Sequence, residues 1–269
     1  MKKYIESAEY IKKQIGCVPD TALILGSGLG DYAAELRNTV IIPYKDIPNF
    51  PVSTVVFHKG ELVCGEIHGK NILVMNGRFH YYEGYEMRQT AYPIGVFKLL
   101  GIKKIIITNA AGGISENYEA GDLVCVHDHI KLVSESPVRG TNIPEFGERF
   151  FDMQSVYDKK FIEKAHIAAE KLGIVLKDGV YGYMAGPQFE TPAEIKMLKI
   201  IGATLVGMST VAEVIIAAQC GIPVLCISCV SNMAAGIADE ILTHEKVVET
   251  GNMIKNKFLK LLNEIIKEI

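Results

Sequence analysis

Hydrophobic residues recur at helical spacing at both ends of the chain. Within residues 2–16, Ile5, Ala8 and Ile11 fall on one helical face, which predicts an amphipathic helix. Residues 244–268 repeat this spacing and predict a long C-terminal helix. Apolar periodicity and capping residues predict further helices at residues 89–100, 155–172, 191–201 and 210–220.

Short apolar runs alternate with these helices. They predict strands at residues 21–25, 62–67, 72–75, 105–108, 123–133, 175–184, 205–208 and 222–230. Several runs are apolar throughout, as is typical of strands that are buried on both faces of a parallel sheet. The pattern predicts an α/β fold, with a single domain over residues 1–269 and a central mixed, mostly parallel β-sheet flanked by helices on both faces.

Three segments connect these elements in a less regular way. Residues 38–60 are rich in proline and valine, and predict a strand followed by an irregular loop. Residues 68–71 predict the turn of a β-hairpin. Residues 134–154 form a polar loop that is longer than most loops in compact domains, which favours a functional role for it.

Composition and charge exclude several classes of function. The formal net charge is −3 and no basic tract stands out, which argues against non-specific nucleic-acid binding. No apolar run reaches the roughly 18 residues of a membrane span, and the N-terminal residues lack the apolar core of a secretory signal. The six cysteines lie mostly in apolar runs and predict reduced thiols in a cytoplasmic protein.

Two short motifs offer metal-binding residue types, but the sequence favours a structural role for both. Cys226 and Cys229 lie in an apolar run that predicts a buried strand, where positions three apart face opposite sides of the sheet. His127 and His129 would share a face of their predicted strand, yet no third ligand is near in sequence. The sequence therefore predicts no metal site.

A strand-to-helix turn at residues 185–194 brings an aromatic ring and a carboxylate close together. Thr191 and Glu194 have the spacing of a capping box, which predicts the start of a helix. Phe189 and Glu190 come just before this helix, where both side chains could point into one cavity. A carboxylate beside an aromatic ring suits a flat heterocycle with N–H donors, although this turn by itself is more typical of an ordinary strand-to-helix connection.

Other loops offer donors for an anion. Gly26-Ser-Gly-Leu-Gly30 follows a predicted strand, and Ser27 could add a hydroxyl to its backbone N–H groups. The loop lacks both the dinucleotide fingerprint and the P-loop lysine, so a plain tight turn is the alternative. Arg78 and His80 could together donate to a dianion, with His58 as a further donor. The alternative for this pair is a surface arginine and a structural histidine.

Two more strand ends carry polar residues. Ser209 precedes a predicted helix for which Thr210 and Glu213 are spaced as a capping box. Ser209 would then lie at the positive end of the helix and could contact phosphate, or it could merely form part of the cap. Asn232 follows a predicted strand, at the sheet edge where ligands bind in α/β folds. Its amide can both donate and accept, which suits the N7/O6 edge of a purine.

Six motifs in this order resemble the trimeric purine nucleoside phosphorylases. They are Gly26-Ser-Gly-Leu-Gly30, Gly77-Arg-Phe-His-Tyr-Tyr-Glu-Gly-Tyr85, Thr108-Asn-Ala-Ala-Gly-Gly113, Ala185-Gly-Pro-Gln-Phe-Glu-Thr191, Val206-Gly-Met-Ser-Thr210 and Asn232. The resemblance runs from about residue 20 to the last helix. It implies an enzyme that converts a 6-oxopurine ribo- or deoxyribonucleoside, such as inosine or guanosine, and phosphate reversibly into the free base and a pentose 1-phosphate.

The resemblance also implies a role for each matching residue. Phosphate would be held by Ser27, His58, Arg78, His80, the backbone N–H of Ala110, and Ser209. Tyr82, Met208 and His244 would contact the ribose, and Phe189, Glu190, Val206 and Asn232 would contact the base. Asn232, Glu190 and His80 would be the catalytic residues. Phosphate would be a co-substrate, and no metal or organic cofactor is implied.

A homotrimer is implied as well. Phe150 matches a residue that reaches into the site of the neighbouring subunit, although the adjacent Phe151 could take that role. The expected partners are therefore a purine nucleoside, phosphate and further copies of this chain, with neither nucleic acid nor a membrane among them.

Three alternatives stay open at this point. A methylthioadenosine phosphorylase would carry aspartate at the position of Asn232 and an apolar residue in place of His244. A nucleosidase that uses water would have no use for Ser27, Arg78, His80 and Ser209 acting together. A non-catalytic nucleoside-binding protein would bind inosine without turnover, although every expected catalytic position of this chain holds a competent residue.

Overall fold

The computed structural model describes residues 1–54, 59–238 and 242–269. Over these residues, nine strands alternate with seven α-helices. The strands are Thr21–Ile24 (β1), Arg37–Pro43 (β2), Glu61–Ile67 (β3), Lys70–Asn76 (β4), Lys104–Gly113 (β5), Leu123–Lys131 (β6), Leu176–Tyr183 (β7), Leu205–Gly207 (β8) and Val224–Met233 (β9). The helices are Lys2–Gln14 (α1), Met87–Thr90 (α2), Tyr92–Leu100 (α3), Lys159–Lys171 (α4), Pro192–Ile200 (α5), Val211–Gln219 (α6) and His244–Glu268 (α7). None of these described helices has the length and apolar character needed to cross a membrane.

The strands form a mixed sheet in the order β2-β3-β4-β1-β5-β8-β7-β6-β9, and β5 also pairs with β9. The pairs β1–β4, β1–β5, β5–β9, β6–β7 and β7–β8 are parallel. The pairs β2–β3, β3–β4, β5–β8 and β6–β9 are antiparallel. This arrangement confirms the predicted α/β fold with a mixed, mostly parallel sheet.

Part of the sheet closes on itself. Because β9 pairs with both β6 and β5, the strands β5, β8, β7, β6 and β9 form a ring. The closure depends on the length of β5, which continues past the predicted end at Thr108 to Gly113. A bulge between Ala111 and Gly112 bends this strand, and Gly112 and Gly113 then pair with β8. The sequence predicts the strand but not the ring.

Alternate residues of the central strand β1 point into two different cores. Ala22 and Ile24 belong to the core that includes α1, α3 and α6, whereas Leu23 and Leu25 pack with α4 and α7. Each of the four side chains is at most 1% exposed. Because successive side chains of a strand point to opposite faces, both faces of the sheet must be covered. Helices cover both faces, as predicted.

The helix predicted at residues 155–172 begins later than expected. It starts at Lys159, because Asp158 is the N-cap and accepts a hydrogen bond from the Phe161 N–H at 3.0 Å. Tyr157 instead forms an isolated bridge with β9. The apolar residues before Lys159 therefore extend the sheet rather than the helix.

The helix predicted at residues 89–100 is divided into two. α2 ends at Thr90 and α3 begins at Tyr92, with Ala91 between them at φ −97° and ψ 6°. Pro93 lies in the first turn of α3 and has no N–H to donate to a preceding carbonyl. This missing donor explains why α2 does not continue into α3.

The strand that carries Cys226 and Cys229 is buried, as predicted. The two thiols belong to different cores, on opposite faces of the sheet. They therefore cannot bind one metal ion together. All six cysteines of the chain are free thiols.

Candidate active site

Four parallel strands bring polar residues to one edge of the sheet. β1, β4, β5 and β9 run in the same direction, and the carboxyl ends of such strands are where α/β proteins bind ligands. A cavity of about 330 Å³ lies at this edge. Its lining includes the predicted residues Ser27, Arg78, His80, Tyr82, Ala110, Phe189, Glu190, Val206, Met208, Ser209 and Asn232. The structure therefore brings most of the predicted site residues together.

Phe150 is placed differently, and the side chains of two further predicted residues fall outside what the structure describes. Phe150 is 89% exposed on the long loop before α4 and does not line the described cavity. His58 lies outside the described residues, and so does the side chain of His244 at the start of α7. Phe151 is half-buried and packs against the core. Phe150 is thus the more exposed of the two adjacent phenylalanines.

Arg78 lies at one end of the cavity, where the protein itself holds the guanidinium. Its side chain is almost fully buried. The Nη1 atom donates to Ser209 Oγ and to Thr210 Oγ1, both at 3.0 Å. The Nη2 atom donates to the Thr108 carbonyl oxygen. Glu213 Oε2 lies 3.5 Å from Nη1 and forms an ion pair with it. Arg78 and Glu213 thus form a buried ion pair at the cavity, and the hydrogen bonds of the guanidinium fix its position.

The hydrogen bonds of Arg78 differ from the bidentate grip on a dianion that the sequence suggests. Both terminal nitrogens already donate to protein acceptors. Ser209 Oγ accepts from Arg78, so its own hydroxyl can donate to Thr210 Oγ1, 3.0 Å away, or to a bound anion. The hydrogen bond from Arg78 thus orients the hydroxyl of Ser209.

The capping box predicted for Thr210 and Glu213 is wrong. Thr210 is the N-cap of α6, but it has a φ of 74° and its side chain makes no cap hydrogen bond to the described helix. Its hydroxyl instead accepts from Arg78 and from Asn109 Nδ2, the latter at 2.9 Å. A positive φ is costly for a β-branched residue and persists only where surrounding contacts enforce it. Here the Thr210 hydroxyl accepts a hydrogen bond from Arg78 instead of capping the helix.

Three buried residues support Arg78 although the sequence analysis did not assign them to the site. Thr108, Asn109 and Glu213 are 0%, 3% and 4% exposed. Thr108 Oγ1 accepts from the Gly26 N–H at 2.8 Å, which ties the glycine-rich loop to β5. The available signal is the occurrence of two polar residues, Thr108 and Asn109, directly after the apolar run of β5.

The glycine-rich loop after β1 lies directly against β5. A Cβ atom at Gly26 would be 2.7 Å from the Asn109 Cα, which is too close for any other residue type. Gly28 has a φ of 84°, a conformation that glycine adopts without strain. Between them, the half-buried Ser27 lines the cavity. The backbone of this loop can therefore approach a ligand closely.

His80 is held by the carboxylate of Glu83. Glu83 Oε1 accepts from the His80 backbone N–H at 2.7 Å and lies 3.0 Å from Nδ1. Burial by itself would raise the pKa of Glu83, but hydrogen bonds from His80 and Thr54 lower it to about 2. Burial lowers the pKa of His80, so its ring is neutral at neutral pH. The ring proton then lies on Nδ1, and Nε2 is an acceptor rather than the donor that the sequence suggests.

The low pKa of Glu83 predicts a specific acid sensitivity. Its carboxylate has a pKa of about 2 instead of the usual 4.5, so its contribution to stability is present above pH 4.5 and is lost as the pH falls toward 2. We expect Glu83→Gln to lower the urea concentration at the midpoint of unfolding at neutral pH. As the pH falls from 4.5 toward 2, this midpoint should decrease less in the variant than in the wild type. The same change at the exposed Glu9 is the control and should alter neither. A Glu83 variant with the wild-type pH dependence would contradict this account.

Glu190 also lines the cavity, and one of its carboxylate oxygens is a buried hydrogen-bond acceptor. The residue is 9% exposed, and its Oε1 is buried without a hydrogen-bond partner among the described residues. Burial raises the pKa of this carboxyl group. The predicted capping box follows directly and is confirmed, with hydrogen bonds of 3.2 Å and 2.7 Å between Thr191 and Glu194. Because an unpaired buried acceptor is costly, Oε1 is suited to a donor from a ligand.

Asn232 lies inside β9, which continues to Met233, rather than after the strand as predicted. Ser231 Oγ donates to Asn232 Oδ1 at 3.0 Å. Asn232 Nδ2 in turn donates to the Met233 carbonyl oxygen at 3.2 Å. Nδ2 carries two N–H groups and one of them donates to Met233, so the second N–H can donate to a ligand in the cavity.

The histidines of the β6 motif do not share a face, contrary to the sequence-based expectation. The pairing of β6 with β7 shifts register between Val126 and Asp128, so His127 lies in a bulge and is exposed. His129 is half-buried, and its Nδ1 lies 3.0 Å from the Tyr157 hydroxyl. These positions fit the predicted structural role.

One group of possible metal ligands occurs among the described residues, and none of its members lines the cavity. Cys125, His166 and Asp178 have ligand atoms within 4.8 Å of one another. His166 Nε2 and Asp178 Oδ1 already form a hydrogen bond of 2.9 Å. Burial raises the pKa of the Cys125 thiol, which keeps it protonated and a poor ligand.

The fold is that of the phosphorylase superfamily, whose family model matches residues 20–267. Purine nucleoside phosphorylase 1 of Geobacillus stearothermophilus is 47% identical over 264 residues, which cover 98% of this chain and 96% of that protein. The chain belongs to the purine nucleoside phosphorylase family.

Solved structures of purine nucleoside phosphorylases are also similar to this chain. The crystal structure of Schistosoma mansoni purine nucleoside phosphorylase in complex with inosine has a TM-score of 0.95 at 38% identity, and the match covers 100% of this chain and 97% of that chain. The crystal structure of the Schistosoma mansoni enzyme in complex with adenosine also has a TM-score of 0.95 at 38% identity, covering 100% of this chain and 98% of that chain.

Proposed function

We propose that this chain catalyses the reversible phosphorolysis of 6-oxopurine ribo- and deoxyribonucleosides, with the free base and (deoxy)ribose 1-phosphate as products. One observation carries the proposal: a single cavity of about 330 Å³ is lined by the hydrogen-bonded pair of Arg78 and Ser209, by the buried acceptor of Glu190 and by the amide donor of Asn232. In such a cavity, phosphate would bind near Arg78 and Ser209, and the base would bind near Glu190 and Asn232. The reacting sugar would lie between them.

The phosphate would bind at the end formed by the glycine-rich loop. The hydroxyls of Ser27 and Ser209 and the backbone N–H of Ala110 would donate to its oxygens, while Arg78 supplies a buried positive charge. Nε2 of the neutral His80 would accept the hydroxyl proton of hydrogen phosphate, which leaves the ionised oxygens for the donors. His58 would add a donor from outside the described residues. This arrangement would orient one phosphate oxygen toward the sugar.

The base would bind between Glu190 and Asn232. A 6-oxopurine carries a proton on N1, and this N–H would donate to the unpartnered Oε1 of Glu190. A 6-aminopurine has a lone pair at N1, which a carboxylate repels, so Glu190 would select inosine and guanosine. Phe189 and Val206 line the same region and would pack against the faces of the ring.

Catalysis would come from stabilising charges that develop as the glycosidic bond breaks. The bond loosens before phosphate is fully bonded, so the sugar gains positive charge and the purine gains negative charge. The phosphate dianion would stabilise the first charge. The amide N–H of Asn232 would donate to N7 and stabilise the second, with a hydrogen bond that strengthens toward the transition state. In this scheme phosphate is a co-substrate, and neither a metal nor an organic cofactor takes part.

The ribose would lie between these two groups, in contact with Tyr82, Met208 and His244. The ring of Tyr82 stacks on His80 at a centroid distance of 4.7 Å, so a residue of the sugar pocket and a residue of the phosphate pocket support each other. Tyr82 and Met208 line the cavity.

We also propose that the enzyme acts in the cytoplasm.

The main alternative is a phosphorylase for 6-aminopurines of the methylthioadenosine type. A relative that binds adenosine in its crystal structure keeps this alternative relevant. Asn232 and His244 favour the 6-oxopurine, because the alternative would need an aspartate and an apolar residue at these positions.

A spectrophotometric screen of inosine, guanosine, adenosine and methylthioadenosine, each with and without phosphate, tests the proposal. We expect rapid loss of inosine and guanosine only in the presence of phosphate. Equal rates without phosphate, with free ribose as the product, would instead identify a nucleosidase. Tight binding of inosine without turnover would identify a non-catalytic binding protein.

The orientation of Asn232 by Ser231 gives a further prediction. We expect Ser231→Ala to lower kcat/KM for inosine by up to about tenfold, because one orienting hydrogen bond contributes about 0.5–1.5 kcal/mol and tenfold corresponds to about 1.4 kcal/mol. Ser231→Thr keeps the hydroxyl and should restore most of the activity. Ser228→Ala, on the same strand, is the control for a lost buried serine. Equal impairment of the Thr and Ala variants would argue against an orienting role.

We propose that the active form is a homotrimer in which Phe150 completes the site of the neighbouring subunit. The proposal follows the resemblance to the trimeric family, and the 89% exposure of Phe150 leaves its side chain accessible to a neighbouring subunit. We expect Phe150→Ala to raise the KM for inosine at least about tenfold, the effect of losing about 1.4 kcal/mol of aromatic contact. Val175→Ala, at another exposed apolar side chain, is the control. A monomer at the assay concentration with full activity would contradict the proposal.

A further inference from the structure

The thiols of Cys17 and Cys64 lie side by side, although 47 positions separate them in the sequence. Their sulfur atoms are 3.1 Å apart, as in a thiol–thiol hydrogen bond. Cys17 lies in the connection between α1 and β1, and Cys64 lies in β3. The pair therefore joins the N-terminal helix segment to a strand of the sheet, and both thiols stand outside the proposed active site.

One of the two sulfur atoms is accessible from solvent. Cys17 is half-buried and lines a surface cavity of about 600 Å³ between the ends of α1 and α3. Lys12 and Lys98 line the same cavity and give it positive charge. Cys64 is only 2% exposed. A small anionic reagent would thus reach Cys17 first, with Cys64 directly behind it.

The surroundings of Cys64 keep its thiol protonated. Burial, together with the hydrogen bond to Cys17, raises the pKa of Cys64 to about 12. Because the thiolate is the nucleophile, Cys64 cannot begin an exchange reaction at neutral pH. It can, however, complete one, since a neighbour that has already reacted lies within contact distance. The geometry therefore gives Cys17 the role of attacking residue and Cys64 the role of resolving residue.

We propose that Cys17 and Cys64 form a reversible intramolecular disulfide when the folded protein meets a low-molecular-weight disulfide such as oxidised glutathione. The Cys17 thiolate attacks one sulfur of the reagent, forming a mixed disulfide and releasing one glutathione thiolate. Cys64 then loses its proton and attacks the Cys17 sulfur, which releases the second glutathione. Two protein thiols are oxidised and one reagent disulfide is reduced. The two protons of the protein thiols pass to the two glutathione thiolates.

The bond would close a loop around residues 17–64, which includes β1 and Ser27. A disulfide that closes a loop of this length restricts the unfolded chain and so raises the midpoint of thermal unfolding. The other four cysteines are buried, and burial raises the pKa of each of them. They are therefore expected to stay reduced under the same treatment.

Thiol counting and peptide mapping of the native protein test the proposal. After treatment with oxidised glutathione and removal of the reagent, we expect the free thiols to fall by two, from six to four. Tryptic digestion should then release residues 14–37 covalently linked to residues 60–70. The linked protein should unfold at a higher temperature than the reduced protein, and dithiothreitol should reverse the change.

Two variants serve as matched controls. Cys17→Ala removes the accessible thiol and should form neither the linked peptide nor the thermally stabilised species. Cys220→Ser keeps the pair and should show both. Six remaining thiols, a glutathione adduct confined to Cys17, a link between two chains, or a link that forms only in unfolded protein would each overturn the proposal. A linked protein with an unchanged unfolding midpoint would overturn its stabilising effect.

Discussion

Replacing Asn232 with alanine is expected to lower kcat for inosine phosphorolysis by about 10²–10³-fold, which corresponds to about 3–4 kcal/mol of transition-state stabilisation. The reason is that the amide would donate to N7 most strongly when the purine carries its negative charge. Ser231 already fixes the amide oxygen, so the loss would come from a pre-oriented group. Steady-state kinetics with inosine and saturating phosphate provide the measurement.

The matched variant Asn232→Asp separates this role from simple loss of packing. An aspartate keeps the shape of the side chain but replaces the N–H donor with an acceptor. We expect inosine cleavage to fall and adenosine cleavage to rise, because the 6-amino group of adenine can donate to the new carboxylate. An unchanged preference between the two nucleosides would contradict the assignment of Asn232 to the base.

Replacing Arg78 with methionine is expected to have the largest effect on stability. Arg78 and Glu213 form an ion pair in which the side chains are only 2% and 5% exposed. Removing one partner leaves the other charge buried and uncompensated, which costs about 3–5 kcal/mol in the free energy of unfolding. We also expect the KM for phosphate to rise, because the charge at the anion end of the cavity is lost. Urea titration and steady-state kinetics measure these two effects separately.

A second substitution distinguishes the two roles of Arg78. In the double variant Arg78→Met/Glu213→Gln, no charge is left unpaired, so we expect most of the lost stability to return. The KM for phosphate should stay high, since no cation has been restored. If the single variant Arg78→Met is as stable as the wild type, the buried charge of Glu213 does not need Arg78 for its compensation. If the double variant regains phosphate affinity, Arg78 does not act on phosphate.

The general architecture can be predicted from the sequence because it depends on local patterns. Apolar alternation and capping residues act within a few positions, and the Thr191–Glu194 capping box is present where its spacing indicates. The ring of strands could not be predicted in this way. It depends on the bulge between Ala111 and Gly112, which redirects the end of β5 toward β8. Nothing in the apolar pattern of β5 marks that change of direction.

The candidate site also has features that the sequence predicts and features that it does not. The residues that line the cavity mostly lie in motifs that can be recognised one segment at a time. The contacts around Arg78 join positions more than a hundred residues apart, such as Arg78 with Thr210. For this reason the spacing of Thr210 and Glu213 suggested a capping box, whereas the folded chain uses both residues to hold a guanidinium. Local spacing cannot reveal a competing partner from a distant strand.

The central claim is that one cavity holds phosphate at one end and a 6-oxopurine at the other. A crystal structure of the protein with hypoxanthine and phosphate tests it most directly. We predict that phosphate contacts Ser27 and Ser209 near Arg78, that N1–H of the base donates to Glu190, and that Asn232 donates to N7. A base bound with neither Glu190 nor Asn232 within hydrogen-bond distance, or a phosphate bound away from Ser209, would contradict the account.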